Sequence, residues 1–329
     1  MLKFDKVLLI SRWKTLGDSA VATVIAKELK RLNPTCVVDA YVPYSVADIW
    51  QMSPYIDKVY IHSKDRGLKK FFHECGMFMK FWRTRYDLAV AVAKSPTVVM
   101  AFLSMAKRKT GNTMSRMGKN FFSNAIDKYA IEDRTTNIIK HYLYSLARLG
   151  LPVDFSTSAD LVAPEGVFQP LKKRLKLPEN YAVVCMSGST YASGPHRNIP
   201  GEKFSPIIKA LKMKYGAVYA IGAAAQKDYI DSLCSDYSND IINISGQLNM
   251  NEMAALLSEC KQFVTIDTGP MHIADALGTP TIALFGFDKD HLSRCMPQGK
   301  NTKVIKAYKP SERGIDNEHI DVEEVVKLI

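Results

Sequence analysis

The stretch FVTIDTGPMHIADALGTPTIALFG (263–286) decides the fold. FVTID is a short apolar, β-branched run and Asp267-Thr268-Gly269-Pro270 a tight turn; apolar residues then recur at helical spacing until Gly278 stops them before TIALFG. Two apolar strands joined by a helix read as neighbours in a buried parallel sheet. Pro270 suits the opening of that helix, where its missing N–H would have no partner anyway. The first amides point out of the helix, Gly269 lets a ligand approach the backbone and Thr268 adds a hydroxyl, so this end can seat a diphosphate. Ordinary helix capping accounts for the same residues, and His272 taken alone is a polar residue near a helix start.

The alternation continues in both directions. AVVCMSG (182–188), AVYAIGA (217–223) and DIINISG (240–246) are apolar runs separated by helical stretches at 201–214, 226–235 and 249–259. Pro152, Pro164, Pro170 and Pro178, with a short basic helix at 169–176, mark a connection over 151–180. Before it, KVLLI (6–10), CVVDAYV (36–42), KVYIH (58–62) and DLAVAV (87–92) lead into helices at about 19–33, 47–52, 66–85 and just past 92, and a further helix at 137–149 ends at Gly150. The reading is an α/β chain of two tandem Rossmann-like domains, 1–160 and 161–329, with the last helix free to pack back on the first domain. A chain of 329 residues exceeds the size at which one core stops growing.

Composition narrows the function. With 47% hydrophobic and 23% charged residues and no uncharged apolar run near ~18 residues, the chain lacks a membrane-spanning segment. Its start reads as a first strand and not as a signal peptide, so cytoplasmic residence is expected. The six cysteines form no CxxC pair and have no His at zinc-ligand spacing, which predicts free, buried thiols. Residues 1–160 hold 25 Lys and Arg against 14 Asp and Glu, whereas residues 161–329 hold 19 of each. The first half is therefore the one that meets something anionic. No GxGxxG follows the first strand, which removes the main support for a dinucleotide dehydrogenase.

Three further segments carry polar candidates. RWKTLGDSAVATVIAKELKRLNP (12–34) enters a helix at Gly17-Asp18, where the Asp can serve as a helix N-cap. SGSTYASGPHRNIPGEKF (187–204) is a strand-end loop with Ser189, Thr190 and Arg197, and GAAAQKDY (222–229) places Gln226 after another strand end. RGLKKFFHECGMFMKFWRTRYD (66–87) interleaves Lys69, Lys70, Lys80, Arg83 and Arg85 with Phe71, Phe72, Phe78, Phe81 and Trp82. That pattern fits a membrane-surface helix or nucleic-acid face, or aromatics packed inward beneath solvated lysines. Lys107, Arg108 and Lys109 add charge in what reads as a loop, AKRKTGNT.

These segments resemble glycosyltransferase family 9, the lipopolysaccharide heptosyltransferases. The run 263–286 is similar to that family's D-T-G-x-x-H segment, which opens an Ala- and Leu-rich helix followed by G-x-P and a strand ending in F-G. The segment 12–34 resembles its first turn, L-G-D before a small-residue helix. The resemblance implies a GT-B fold, two parallel sheets facing a cleft, and an inverting transfer from a nucleotide-sugar, with heptose from ADP-heptose as the expected sugar. It assigns Asp18 as general base and Ser189, Thr190, Arg197, Gln226, Asp267, Thr268, Gly269 and His272 to the donor. Two positions depart from the pattern. Arg197-Asn198-Ile199-Pro200 stands where family members carry K-x-W-P, and Gln226 stands near a position that is commonly acidic.

The basic residues Lys14, Lys69, Lys70, Arg108 and Lys109 are the expected hold on an anionic glycolipid acceptor at the inner membrane face. Neither metal nor cofactor is expected, and no nucleic acid. Two rivals have discriminating tests. A nucleotide-sugar epimerase needs no acceptor and leaves the basic half idle; a non-enzymatic nucleotide- or nucleic-acid-binding module leaves Asp18 dispensable and binds nucleic acid with steep salt dependence.

Overall fold

In the computed structural model of the chain, residues 3–92, 95–113, 128–131, 136–188, 198–235, 240–311 and 317–329 are described, with the backbone alone at 95–96, 112–113 and 128–131. The chain divides into two compact units, Met1–Val162 and Ala163–Ile329.

The first unit is built on six parallel strands: β1 Lys6–Ser11, β2 Val37–Val42, β3 Lys58–Ile61, β4 Leu88–Val92, β5 Arg108–Thr113 and β6 Lys128–Ile131. They lie in the order β3-β2-β1-β4-β5-β6. The central pair is β1, buried from Val7 to Ser11, and β4, buried throughout. Such runs have no solvent face, so helices must cover both sides. The order reverses between β1 and β4, whose ends Ser11 and Val92 lie side by side. Loops that diverge at such a point leave a crevice beyond the strand ends.

The second unit repeats the plan. Its strands are β7 Ala182–Cys185, β8 Val218–Ala220, β9 Ile242–Asn243, β10 Gln262–Ile266, β11 Thr281–Phe285 and β12 Thr302–Lys306, in the order β12-β11-β10-β7-β8-β9. Counted from β7, this is the order of the first unit, with the reversal between β7 and β10. The helix Gly201–Tyr215 packs on the core with Phe204, Ile207, Ile208 and Leu211. The last helix, Val322–Leu328, packs on Gly201–Tyr215, its Val325 lies with Ile320 and Ile329 in the second unit's core, and Lys214 donates to the Ile329 carbonyl.

Several expected elements are corrected. The helix foreseen at 19–33 is two, Leu16–Ala22 and Val24–Leu32, broken at Thr23, whose hydroxyl donates back to the Ala20 carbonyl at 2.7 Å. Residues 108–113, read as a loop, form strand β5. The helix Gly67–Thr84 settles the question of its aromatics by dividing them. Phe81 is buried with Phe78 partly covered, and Glu74 accepts a hydrogen bond from the Tyr41 hydroxyl, which anchors that side. Leu68, Phe71, Phe72, Met79 and Trp82 are 75%, 60%, 68%, 50% and 50% exposed. Their spacing of three, four and seven residues places them on one outward stripe.

Candidate donor and acceptor sites

In the second unit the site forms where β7 and β10 part. Thr268 is the extended N-cap of the helix Gly269–Leu277, with Pro270 in its first turn. Its hydroxyl makes no capping bond: it lies 3.2 Å from the Thr265 hydroxyl and 3.3 Å from the Ile266 carbonyl, turned back to the strand end. Simple side-chain capping is therefore not what these residues do, and the helix start keeps its partial positive charge for a ligand. Gly269 and His272 are half-buried at this opening. Cys185, at the end of β7, sits 3.9 Å from the Thr268 hydroxyl, so the turn spans the reversal point.

Gln226 belongs to the same edge but is engaged. Its Oε1 accepts from the Ala223 amide at 2.8 Å and its Nε2 donates to the Gly188 carbonyl. Gln226 thus ties the turn after β8 to the loop after β7, and the Gly188 amide in turn donates to Asn198 at 2.9 Å. Gly222 makes room for the tie, since a Cβ there would meet Ile230 at 2.6 Å and Gln226 Oε1 at 3.2 Å. Ser189, Thr190 and Arg197 lie outside the described residues.

Asp267 is buried at the end of β10, and its Oδ2 is 2.5 Å from Nε2 of His291, which lies on the short helix Lys289–Cys295 after β11. Nδ1 of His291 is 3.9 Å from Cys295 Sγ. The hydrogen bond to Asp267, and next the contact with Cys295, push the imidazole up to about 10 despite partial burial, so it is a cation at neutral pH. Among the described residues, Asp267, His291 and Cys295 bring metal-ligand-type atoms within 4.8 Å of one another. Sequence reading misses His291; the only signal was a His and a Cys four residues apart after an apolar strand.

All six thiols are free, but only Cys36, Cys185, Cys234 and Cys260 are buried; Cys75 and Cys295 are half-buried. Burial pushes Cys36 and Cys234 up to about 11 and Cys260 up to about 12, which leaves them unreactive.

In the first unit Asp18 is the third residue of Leu16–Ala22 and accepts from the Thr15 hydroxyl; Thr15, not Asp18, is the N-cap. The carboxylate is half-buried at the strand-reversal edge, with exposed Lys14 on the same loop. Lys69 and Lys70 open the helix that follows β3, so they stand at that edge too. Arg108 and Lys109 do not. The register pairs Val7 with Leu88 and Leu88 with Arg108, whereas Ser11 pairs with Val92, so both begin β5 at the opposite edge. Four residues of strand separate the two levels, about 13 Å. Lys109 also donates to the Ala106 carbonyl at 2.8 Å.

Two Rossmann-like units of identical strand order, one with an uncapped helix start and the other with a helix-borne carboxylate at their reversal points, define the GT-B class. The glycosyltransferase family 9 (heptosyltransferase) model matches residues 78–319. The chain is 24% identical over 287 residues to lipopolysaccharide heptosyltransferase 3 of Escherichia coli (strain K12), covering 82% of this chain and 79% of that protein. Its fold is similar to that of a family 9 glycosyl transferase from Veillonella parvula DSM 2008, with TM-score 0.82, 18% identity and coverage of 99% and 96% of the two chains. The E. coli ADP-heptose lps heptosyltransferase II superposes with TM-score 0.78 at 17% identity, over 98% and 97% of the chains. The chain belongs to glycosyltransferase family 9 and is a glycosyltransferase.

Proposed function

We propose that the enzyme transfers a heptosyl group from ADP-heptose to a hydroxyl of a lipopolysaccharide core or related anionic glycolipid, with inversion and without a metal. The observation that carries this is the Thr268-Gly269 helix start, uncapped by any side chain at the reversal point of a family 9 chain. A departing nucleoside diphosphate gains negative charge as its bond to the anomeric carbon breaks, and oriented amides meet that charge without reorganising. Gln226 serves the donor indirectly, by holding the Ser187–Gly188 loop. Asp18 takes the proton of the acceptor hydroxyl as its oxygen attacks the anomeric carbon from the side opposite the diphosphate. Lys14, Lys69 and Lys70 receive the acidic acceptor, and the stripe Leu68–Trp82 rests on the membrane that carries it. Arg108 and Lys109 are better placed to touch lipid headgroups than the reacting hydroxyl.

Calorimetric titration with ADP, GDP, UDP and CDP, with and without Mg²⁺, tests the donor half. ADP should bind selectively and equally well without metal, and Thr268→Val should weaken it. Preference for another nucleotide overturns the heptose assignment, and a requirement for Mg²⁺ overturns metal independence.

A further inference from the structure

The donor turn poses an electrostatic conflict. Asp267 is buried immediately before Thr268, so an ionised carboxylate stands beside the place where the proposed reading seats a diphosphate. Two like charges in a partly dry crevice repel strongly, far more than they would in water. The carboxylate is not left bare: Nε2 of His291 holds it at 2.5 Å, from a helix that belongs to neither the Asp267 turn nor the helix it opens.

We infer that His291 is a charge-compensating positioning residue for donor binding: its imidazolium neutralises Asp267 so that a nucleoside diphosphate can occupy the adjacent helix start. The inference rests on the donor reading above. The histidine sits in the element after β11, and its raised pKa keeps it charged across the neutral range. The ring lies between its two neighbours, with Nε2 toward Asp267 and Nδ1 toward Cys295. The pairing also fixes the orientation of Asp267.

The test is ADP affinity of the full-length enzyme and of His291→Asn, Asp267→Asn and the double variant Asp267→Asn/His291→Asn. ADP carries the diphosphate without the sugar, so any contact of Asp267 with sugar is not read. His291→Asn should weaken ADP by about tenfold or more, because it removes the cation that faces a buried carboxylate beside the phosphates. The double variant should regain most of that loss, since that carboxylate is gone too; recovery of affinity is something a merely structural role would not produce. Circular dichroism of each variant establishes that it is folded, and the double variant keeps the test decisive if the single one is not. If His291→Asn binds ADP like wild type, or if the double variant binds as weakly as the single, compensation is overturned while the donor site stands. If the wild type binds none of the four nucleoside diphosphates, the donor site falls and this inference with it.

Discussion

At the scale of single residues, Asp18 and Asp267 are carboxylates in two different settings. Asp18 is half-buried, accepts from the Thr15 hydroxyl and lies in the first turn of a helix, and the proposed function makes it the acceptor of the attacking hydroxyl's proton. Asp18→Asn should lower kcat by about 10²–10⁴-fold, the usual worth of a positioned base, and leave ADP affinity unchanged; a variant that turns over normally removes Asp18 from the chemistry. Asp267 is instead locked to His291, and that pairing has a pH signature. The imidazole titrates at about 10 in the folded chain against an ordinary 6.5, so folding gains from the bound proton. The pair's contribution to stability is complete below about pH 6.5 and is lost as pH rises through about 10. Urea midpoints should therefore show wild type ahead of His291→Asn at pH 7 and the gap closing by pH 10; an equal gap at both pH values means the proton is not held by this pair. The places of D-T-G and L-G-D, each between a strand and a helix, were legible from the apolar runs beside them. His291 was not, because its partner is 24 positions away and only folding brings them together.

At the scale of elements, periodicity located most strands and helices, and it failed where packing overrides composition. β5 reads RKTGNT, which looks like a turn, yet Gly111 is there because the chain passes so close to Ala91 that a Cβ would lie 2.7 Å from it. The helix Gly67–Thr84 posed the opposite difficulty: its interleaved aromatics and cations fit a membrane-surface or nucleic-acid face as well as aromatics packed inward. The structure leaves Phe71, Phe72 and Trp82 outside, flanked by Lys69, Lys80 and Arg83, and Trp82 donates to the Leu103 carbonyl, bringing exposed Leu103 and nearby Met105 to the same end. A stripe of that kind partitions into an anionic lipid surface by apolar burial and charge together. Phe71→Ser/Phe72→Ser should cut co-sedimentation with vesicles containing anionic lipid at least severalfold while leaving ADP affinity intact, because both side chains are exposed and belong to the first unit, whereas the proposed donor site is built in the second. Unchanged sedimentation would assign the stripe to something other than lipid.

At the scale of the whole molecule, two units with the same strand order differ in charge. The sequence concentrates its excess of basic residues in the first 160 positions and balances the rest, and the structure gives each half a core of its own. The second unit closes itself: β7 to β12 form one sheet, and the chain's last helix returns to Gly201–Tyr215 with Val325 and Ile329 buried there. The proposed donor-site residues, Thr268 and Gly269 at the helix start, the Gln226 tie and the Asp267–His291 pair, all lie within this unit. A domain with its own core folds alone as a rule, so a fragment of residues 163–329 should fold cooperatively and bind ADP within a few-fold of the intact enzyme's affinity, while catalysing no transfer because Asp18 is missing. Calorimetry on the fragment reads this directly. Folded fragment with ADP affinity lowered by a hundredfold or more would mean that the first unit supplies part of the diphosphate's binding energy, and Lys14, the exposed cation on the Asp18 loop, would be the first side chain to test for it.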